Sequence, residues 1–244
     1  MNRPIVYFFT DFGAQGPYLG QMETALLVRA PQARVINLLS DAPPFSPKPS
    51  AYLLGALLPW LAPESVLVGV VDPGVGTDRK ALLLESDGRR FIGPDNGLFA
   101  SLLKSSGTRA WEILQDPAQL SATFHGRDLF APAAGRLLGE GDLERQPMPR
   151  HRLVGADWPG QLAEIIYIDH YGNAMSGLRA GDFTPDTVFR LGEVRLFRRH
   201  TFADVPPGEA FWYENSLGLV EVAVNRGRSD TTLGVQVGTP IRPE

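Results

Sequence analysis

The segment 72–77 reads Asp-Pro-Gly-Val-Gly-Thr and is the first candidate for chemistry in the chain. Glycine-rich loops can cradle phosphates, but the phosphate-loop motif Gly-x-x-x-x-Gly-Lys-Ser/Thr is absent from it. The dinucleotide motif Gly-x-Gly-x-x-Gly is also missing after the first predicted strand. The loop therefore either lines a site or only turns the chain, since glycine at a strand exit commonly serves a positive φ.

Asp11 and His125 also have side chains that can do chemistry. Asp11 ends a predicted strand, where a carboxylate either caps the next helix or binds both hydroxyls of a ribose. His125 lies in Thr-Phe-His-Gly-Arg-Asp, ahead of a helix-like run, and a lone histidine is usually structural. The remaining histidines lack metal-ligand spacing, so a metal centre has little support, although a weak magnesium site through carboxylates stays open.

Three polar segments in the second half of the chain are candidate binding loops. They are 169–173, 215–218 and the end of the run 222–225. Each contains the residues that favour turns or strand exits, so turn chemistry alone also explains each of them. None of the three carries a function without the others.

The first half of the chain alternates short apolar runs with helical patterns. The predicted strands are 5–9, 35–39, 66–71 and 82–85, and the helical patterns are 20–29 and 50–61. This alternation predicts an α/β domain with a largely parallel sheet. Asp11 and Asp72 each follow a predicted strand, at the edge where open α/β sheets bind ligands.

The second half is predicted to form a separate β-domain. Its strand-like runs are 161–168, 187–191, 194–197, 210–213, 218–224 and 232–237, divided by Gly, Pro, Asn and Asp. This pattern indicates a small antiparallel β-barrel. We expect an N-terminal α/β domain at 1–152, a linker at about 153–160 and a C-terminal β-barrel domain at 161–244.

Composition limits the classes of partner. The 244 residues carry a formal charge of −4, which argues against an extended surface for nucleic acid. There is no cysteine, which excludes disulfides, thiolate metal sites and cysteine nucleophiles. No apolar run approaches a membrane span, and the N-terminus reads as a strand rather than a signal peptide. We expect a soluble, cytoplasmic protein with no membrane partner.

Six motifs taken in order resemble the S-adenosyl-L-methionine (SAM) hydroxide adenosyltransferases, relatives of the fluorinase and chlorinase. The matching stretch runs from Thr10 to Asn225. The six motifs are TDFG at 10–13, DPGVGTDR at 72–79, GPDNGL at 93–98, TFHGRDLFAP at 123–132, DHYGN at 169–173 and NSLG at 215–218. The second, third and fourth are highly specific in this order.

The resemblance implies a fold, an assembly and a reaction. The fold is an N-terminal α/β domain with a C-terminal β-barrel, and the assembly is a homotrimer with active sites between neighbouring subunits. The reaction is hydrolysis of SAM at C5′ to adenosine and L-methionine, with SAM as substrate and no cofactor or metal.

The resemblance also assigns residues to roles. Residues matching Asp72, Arg79 and His125 form a polar triad that holds the attacking water or hydroxide. An imidazole can accept a proton from water, a carboxylate can stabilise the imidazolium and a guanidinium supports hydroxide-like charge. The implied substrate-binding residues are Asp11 on the ribose, Phe45 against the sugar, Asp169, Asn173 and Ser216 on the methionine part, and Asn225 near the adenine.

Three departures from the family pattern bear on substrate affinity, and two other functions compete. The departures are Gly16, Met175 and Arg228. A SAM-dependent halogenase is the nearest chemical alternative, but the Asp72 carboxylate would repel a halide and Gly126 lacks the hydroxyl that the fluorinase offers. A SAM- or adenosine-binding regulatory module is the other alternative, and it would not need the triad.

Overall fold

The computed structural model describes residues 3–115, 120–139, 141 and 143–244. The chain divides into two compact units. The N-terminal unit contains the residues up to Leu54 together with Trp60–Trp158, and the C-terminal unit contains Pro159–Glu244 with the short piece Gly55–Pro59.

The N-terminal unit is built on a seven-stranded sheet with the order β2-β1-β3-β5-β4-β6-β7. Its strands are β1 Ile5–Thr10, β2 Arg34–Leu39, β3 Val66–Val70, β4 Ala81–Ser86, β5 Arg89–Pro94, β6 Arg109–Ile113 and β7 Arg145–Pro147. β1 pairs in parallel with β2 and β3, and β3 pairs in parallel with β5. The pairings of β4 with β5 and β6, and of β6 with β7, are antiparallel.

The sheet is therefore mixed, which corrects the expectation of a largely parallel sheet. The cause is a tight hairpin between β4 and β5, where Asp87 has φ 49° and Gly88 has φ 74°. Two successive positive φ values are typical of the type I′ turn, which Asp-Gly favours. The Asp-Gly dipeptide reverses the chain between β4 and β5. The apolar pattern predicted β4 but missed β5.

Three helices and a π-helical turn accompany this sheet. The helices are α1 Tyr18–Leu27, α2 Pro47–Leu57 and α3 Ala131–Leu138, and the π-helical turn Gly126–Phe130 leads directly into α3. Met22 and Leu26 of α1 are fully buried in the same core as Phe130. α1 and α3 pack closely at Gly135. A Cβ at this position would lie only 2.9 Å from the carbonyl oxygen of Leu26.

The C-terminal unit is antiparallel, as the sequence predicted, and its described strands form two sheets. The strands are β8 Leu162–Ile168, β9 Ala174–Arg179, β10 Phe189–Leu191, β11 Val194–Leu196, β12 Ala210–Glu214, β13 Leu219–Val224 and β14 Arg242–Pro243. The sheet orders are β12-β13-β9-β8 and β11-β10-β14. Among the described residues these pairings do not close a barrel, so the barrel stays a prediction.

The predicted strand at 232–237 is wrong. Ser229–Thr232 forms the short helix α4, and the chain turns again at Gly234, whose φ is +65°. β9 was not predicted from the sequence, because its residues Ala-Met-Ser-Gly-Leu-Arg include small and polar side chains. None of the helices in the described part of the chain combines the length and apolar character that a membrane crossing requires.

Candidate active site

Polar side chains follow three neighbouring parallel strands of the N-terminal unit. Asp11 comes directly after β1, Asp72 follows β3 and Asn96 follows β5. The amide nitrogen Nδ2 of Asn96 donates to the carbonyl of Val71 at 2.8 Å, and its Oδ1 accepts from the backbone N–H of Leu98 at 3.2 Å. The Gly-Pro-Asp-Asn-Gly turn therefore holds the backbone immediately before Asp72.

Asp72, Arg79 and His125 are brought together, and the arginine stands in the middle. Nε of Arg79 lies 3.0 and 2.9 Å from the two carboxylate oxygens of Asp72, and one terminal nitrogen lies 2.5 Å from Oδ2. The same terminal nitrogen lies 2.8 Å from Nδ1 of His125. The side chains of Asp72 and Arg79 are only 4% and 9% exposed, so this is a buried ion pair.

The contact with Arg79 fixes the state of His125. A guanidinium only donates, so Nδ1 accepts and the ring is neutral, with its proton on Nε2. His125 also has a hydrogen bond with the backbone of Ser121. Burial, and next the charge of Arg79, lower the pKa of His125, while the Asp72 charge and the Ser121 bond oppose this. Nδ1 is thus occupied by Arg79, so this ring nitrogen does not offer a free lone pair to water.

Gly76 allows the loop after β3 to meet the segment that carries His125. Its φ is +81°, and a Cβ at this position would collide with the carbonyl oxygen of Ala122. Any other residue would be strained by its φ and would push the two segments apart. The glycine of this loop therefore serves the approach of Asp72 to His125 rather than the binding of a phosphate.

Asp128 braces the segment that orients His125. Its Oδ2 accepts from the backbone N–H of Ser121 at 3.0 Å, and its Oδ1 accepts from Nε of Arg127 at 2.6 Å. The Arg127 hydrogen bond is the main reason that the pKa of Asp128 falls to about 2. Arg127 also donates to Gln21 on α1 at 3.0 Å, which ties the loop to the helix layer.

Asp11 and Phe45 also lie together. Oδ2 of Asp11 accepts from the backbone N–H of Phe45 at 3.0 Å. Burial is the first cause that raises the pKa of Asp11, and the charge of Asp72 adds to it. Phe45 has φ 57° and is 78% exposed, so a bulky residue sits in a strained conformation with its ring in solvent.

The C-terminal unit contains a cavity of about 770 Å³. Three of the predicted binding residues, Asp169, Asn173 and Ser216, line it. The β8–β9 turn holds the first two, because Oδ1 of Asp169 accepts from the backbone N–H of Asn173 at 2.9 Å. The remaining lining residues are Tyr171, Met175, Phe202, Tyr213, Asn215, Glu221, Val224, Arg226, Gly227 and Arg228.

Asn225 does not line this cavity. Its Nδ2 donates to the carbonyl of Val205 at 2.7 Å, and its backbone bonds Gly208 and Glu209. The amide therefore holds the loop before β12, and its predicted contact with adenine stays a prediction. The departures Met175 and Arg228 both line the cavity, and Arg228 is ion-paired with Asp230 at 2.8 Å.

Glu221 is a cavity residue that the sequence analysis missed. It is only 2% exposed and stands in the centre of β13, whose residues are all buried. A charged residue within the run Leu-Val-Glu-Val-Ala-Val is the signal that could have identified it, because glutamate is almost never buried without partners.

A larger groove of about 1350 Å³ lies at the opposite edge of the N-terminal sheet. Two of its arginines are engaged in the fold, since Arg89 donates to the carbonyls of Leu61 and Ala62, and Arg109 pairs with Glu85. Chemistry-bearing groups are concentrated at the other edge. Among the described residues, no group of three or more histidine, aspartate and glutamate side chains is arranged to hold a metal ion.

A buried ionic network at the carboxyl edge of parallel strands is the arrangement of an α/β enzyme that acts on a small molecule. Residues 6–146 match the family model of the SAM hydroxide adenosyltransferase N-terminal domain, and residues 163–242 match that of the C-terminal domain. The chain belongs to the SAM hydroxide adenosyltransferase family, which confirms the resemblance carried by its motifs.

Individual relatives agree with this family. An (R)-S-adenosyl-L-methionine hydrolase of Thermus thermophilus is 41% identical over 98% of this chain and 99% of its own length. A fluorinase of Nocardia brasiliensis is 25% identical over 92% of this chain and 91% of its own. The crystal structure of an uncharacterized conserved protein from Thermotoga maritima has a TM-score of 0.85 at 27% identity, covering 98% of this chain and 100% of that one.

The neutral state of His125 can be measured directly. We expect its ring to titrate below the ordinary histidine pKa of about 6.5. Because the folded chain favours the neutral ring, the unfolded chain binds more protons as the pH falls below about 6.5, and the free energy of unfolding decreases there. NMR of the ring protons and urea unfolding at several pH values test this.

His125→Asn keeps an acceptor for Arg79 but cannot titrate, so it should flatten this part of the pH dependence of stability. His200→Asn is the matched control, because His200 is exposed on a loop of the C-terminal unit and should leave the dependence unchanged. A His125 ring that titrates at or above the ordinary value would contradict the contact with Arg79.

Proposed function

We propose that this protein hydrolyses SAM at C5′ and releases adenosine and L-methionine. The observation that carries the proposal is the buried Asp72–Arg79–His125 network, in a chain whose two halves match the SAM hydroxide adenosyltransferase family. Water oxygen forms a bond to C5′ while the C5′–S bond breaks, sulfur keeps the electron pair as a neutral thioether, and one proton is released.

The reaction needs a placed nucleophile more than a strong base, because a sulfonium leaves readily as a thioether. Arg79 is held by Asp72 and His125, and its guanidinium carbon lies 5.1 Å from the centre of the Phe130 ring. Among the described residues, no hydrogen bond involves its second terminal nitrogen, and we assign this nitrogen to donate to the water oxygen and to support hydroxide-like charge. Asp72 keeps lone-pair capacity beyond its bonds to Arg79 and is the acceptor that we assign to the water proton.

The binding roles divide between the two groups of residues described above. Asp11 would accept the ribose hydroxyls through its remaining oxygen, with the exposed ring of Phe45 against the sugar. Asp169, Asn173 and Ser216 would hold the ammonium and carboxylate of the methionine part. Asn225 remains the candidate near adenine, through the Oδ1 oxygen of its amide, because its backbone N–H and C=O and its Nδ2 are bonded within the protein. No cofactor or metal enters this scheme.

Packing around Gly126 argues against the halogenase alternative. A Cβ on Gly126 would lie 3.0 Å from the sulfur of Met22, 3.1 Å from the ring of Phe124 and 3.4 Å from the ring of Phe12. A serine hydroxyl that could bind halide would have to displace these side chains. A module that only binds SAM would have no use for the buried triad.

Isotope labelling tests the reaction itself. Incubation of the protein with SAM in H₂¹⁸O should place the label on the 5′-hydroxyl of adenosine, and methionine should contain none, because water attacks carbon and not sulfur. Mass spectrometry of both products gives the answer. Activity should survive EDTA. An unlabelled 5′-hydroxyl, or activity lost to EDTA and restored by a divalent ion, would contradict the proposal.

Substitutions separate catalysis from binding. Asp72→Asn and His125→Ala should lower kcat by about 10²–10⁴-fold, because each disturbs the guanidinium that meets the nucleophile, while SAM binding persists. Asp11→Ala should weaken binding as well as rate, since a ribose contact acts in the ground state and the transition state alike. Calorimetric titration and single-turnover assays distinguish the two patterns.

The control for Asp72→Asn is Glu112→Gln. Glu112 forms an ion pair at 2.7 Å with Lys80, the residue that follows Arg79 in the sequence. The side chain of Lys80 is 43% exposed. Loss of an exposed pair costs little, so kcat should stay within about twofold of the parent. If His125→Ala turns over SAM as fast as the parent, the proposed triad is wrong.

We further propose a homotrimer in which one chain supplies the triad and a neighbouring chain supplies the residues of the methionine cavity. The family resemblance supports this assembly. It gives a reason for two separate groups of binding residues, one in each unit of the chain.

Co-assembly of two defective chains tests shared sites. Asp72→Asn disables the nucleophile side and Asp169→Asn removes the charge that would meet the ammonium. If neighbouring chains share sites, random co-assembly should restore about a quarter of the parent activity, because that share of sites receives two intact halves. Light scattering reports the oligomer. Activity no higher than the average of the two defective proteins would reject shared sites.

A further inference from the structure

Glu221 lies beneath the methionine cavity and connects two of its polar walls. Its Oε1 accepts from the hydroxyl of Tyr213 on β12, and its Oε2 accepts from Nδ2 of Asn215 at 2.5 Å. Burial raises the pKa of the Tyr213 phenol and keeps it a donor. Burial also raises the pKa of Glu221, and the charge of Asp169 adds to the effect.

Asn215, which is held by Glu221, in turn binds the backbone of the turn that contains Ser216. Its Oδ1 accepts from the backbone N–H groups of Leu217 and Leu219, both at 2.9 Å. The turn closes through Gly218, whose N–H donates to the Asn215 carbonyl at 2.9 Å. All functional groups of the Asn215 amide are thus used inside the protein, so its position depends on Glu221.

We propose that Glu221 is a positioning residue for the methionine end of SAM, acting through Asn215 to fix the turn that presents Ser216 to the ligand. The inference rests on the proposed function. Glu221 touches neither the reacting carbon nor the water. Its loss should therefore weaken binding of the amino-acid part and leave the chemical step intact.

Reversing the donor and the acceptor tests the contact. Asn215→Asp keeps an oxygen for Leu217 and Leu219 but faces Glu221 with a second carboxylate, so KM for SAM should rise at least about tenfold with kcat nearly unchanged. Glu221→Gln added to it supplies an amide that donates to the new carboxylate and still accepts from Tyr213. The double variant should return KM to within about threefold of the parent.

Glu221→Gln alone should raise KM for SAM, but by less than Asn215→Asp does, because its oxygen accepts from Asn215 and its amide donates to the phenol oxygen of Tyr213. Glu214→Gln is the matched control, since Glu214 precedes Asn215 and, among the described residues, forms its ion pair with Arg198 at 3.2 Å. Its KM should not change. Thermal unfolding shows whether each variant is folded.

Calorimetry with L-methionine and with adenosine separates positioning from general damage. Asn215→Asp should weaken methionine binding and leave adenosine binding unchanged. A double variant no better than Asn215→Asp, or an unaltered KM in Asn215→Asp, would overturn the inference. If the parent fails to hydrolyse SAM, the proposed function fails, while methionine titrations of the same variants still decide the role of Glu221.

Discussion

The buried ion pair between Asp72 and Arg79 is the interaction on which the N-terminal unit depends. Removing two charges from water costs several kcal/mol each, and only excellent geometry and further hydrogen bonds offset that cost. Arg79 meets these conditions through both oxygens of Asp72, through His125 and through the face of Phe130. The Asn96 turn and Gly76 bring their segments to the same place, so several family motifs serve one network.

The sequence predicted those strands and helices whose pattern of apolar residues matches their burial in the fold. β1, β3 and α1 are buried runs or amphipathic segments, and the predicted ranges lie within two or three residues of the structure. β5, β6 and β9 were missed, because tertiary pairing stabilises strands that contain arginine, glycine or serine. The antiparallel pairing of β4 with β5 follows from one Asp-Gly turn. The prediction missed this local signal because it relied on the apolar pattern.

The sequence motifs predicted a set of candidate site residues, but they could not predict how these residues are arranged in space. Motif order pointed to Asp72, Arg79 and His125, and they lie in contact. The order of the three in space cannot be obtained from spacing, and it decides the chemistry, because an arginine between the other two occupies the lone pair of His125 that a general base would need. In the same way, Asn225 was assigned to a ligand but its amide binds Val205.

Each of the two groups of binding residues has a buried carboxylate that holds a loop, Asp72 in the N-terminal unit and Glu221 in the C-terminal unit. The two carboxylates differ in the charge of their hydrogen-bond partners. Asp72 is neutralised by Arg79, so its network is rigid and nearly balanced in charge. Glu221 is held by neutral donors, and in the described part of the chain no basic side chain forms an ion pair with it. Together with Asp169 it places carboxylates in the lining of the methionine cavity, and Arg226 and Arg228 line the same cavity. A cavity that presents charges of both signs suits a ligand end that carries an ammonium and a carboxylate, and the amino-acid end of SAM carries both.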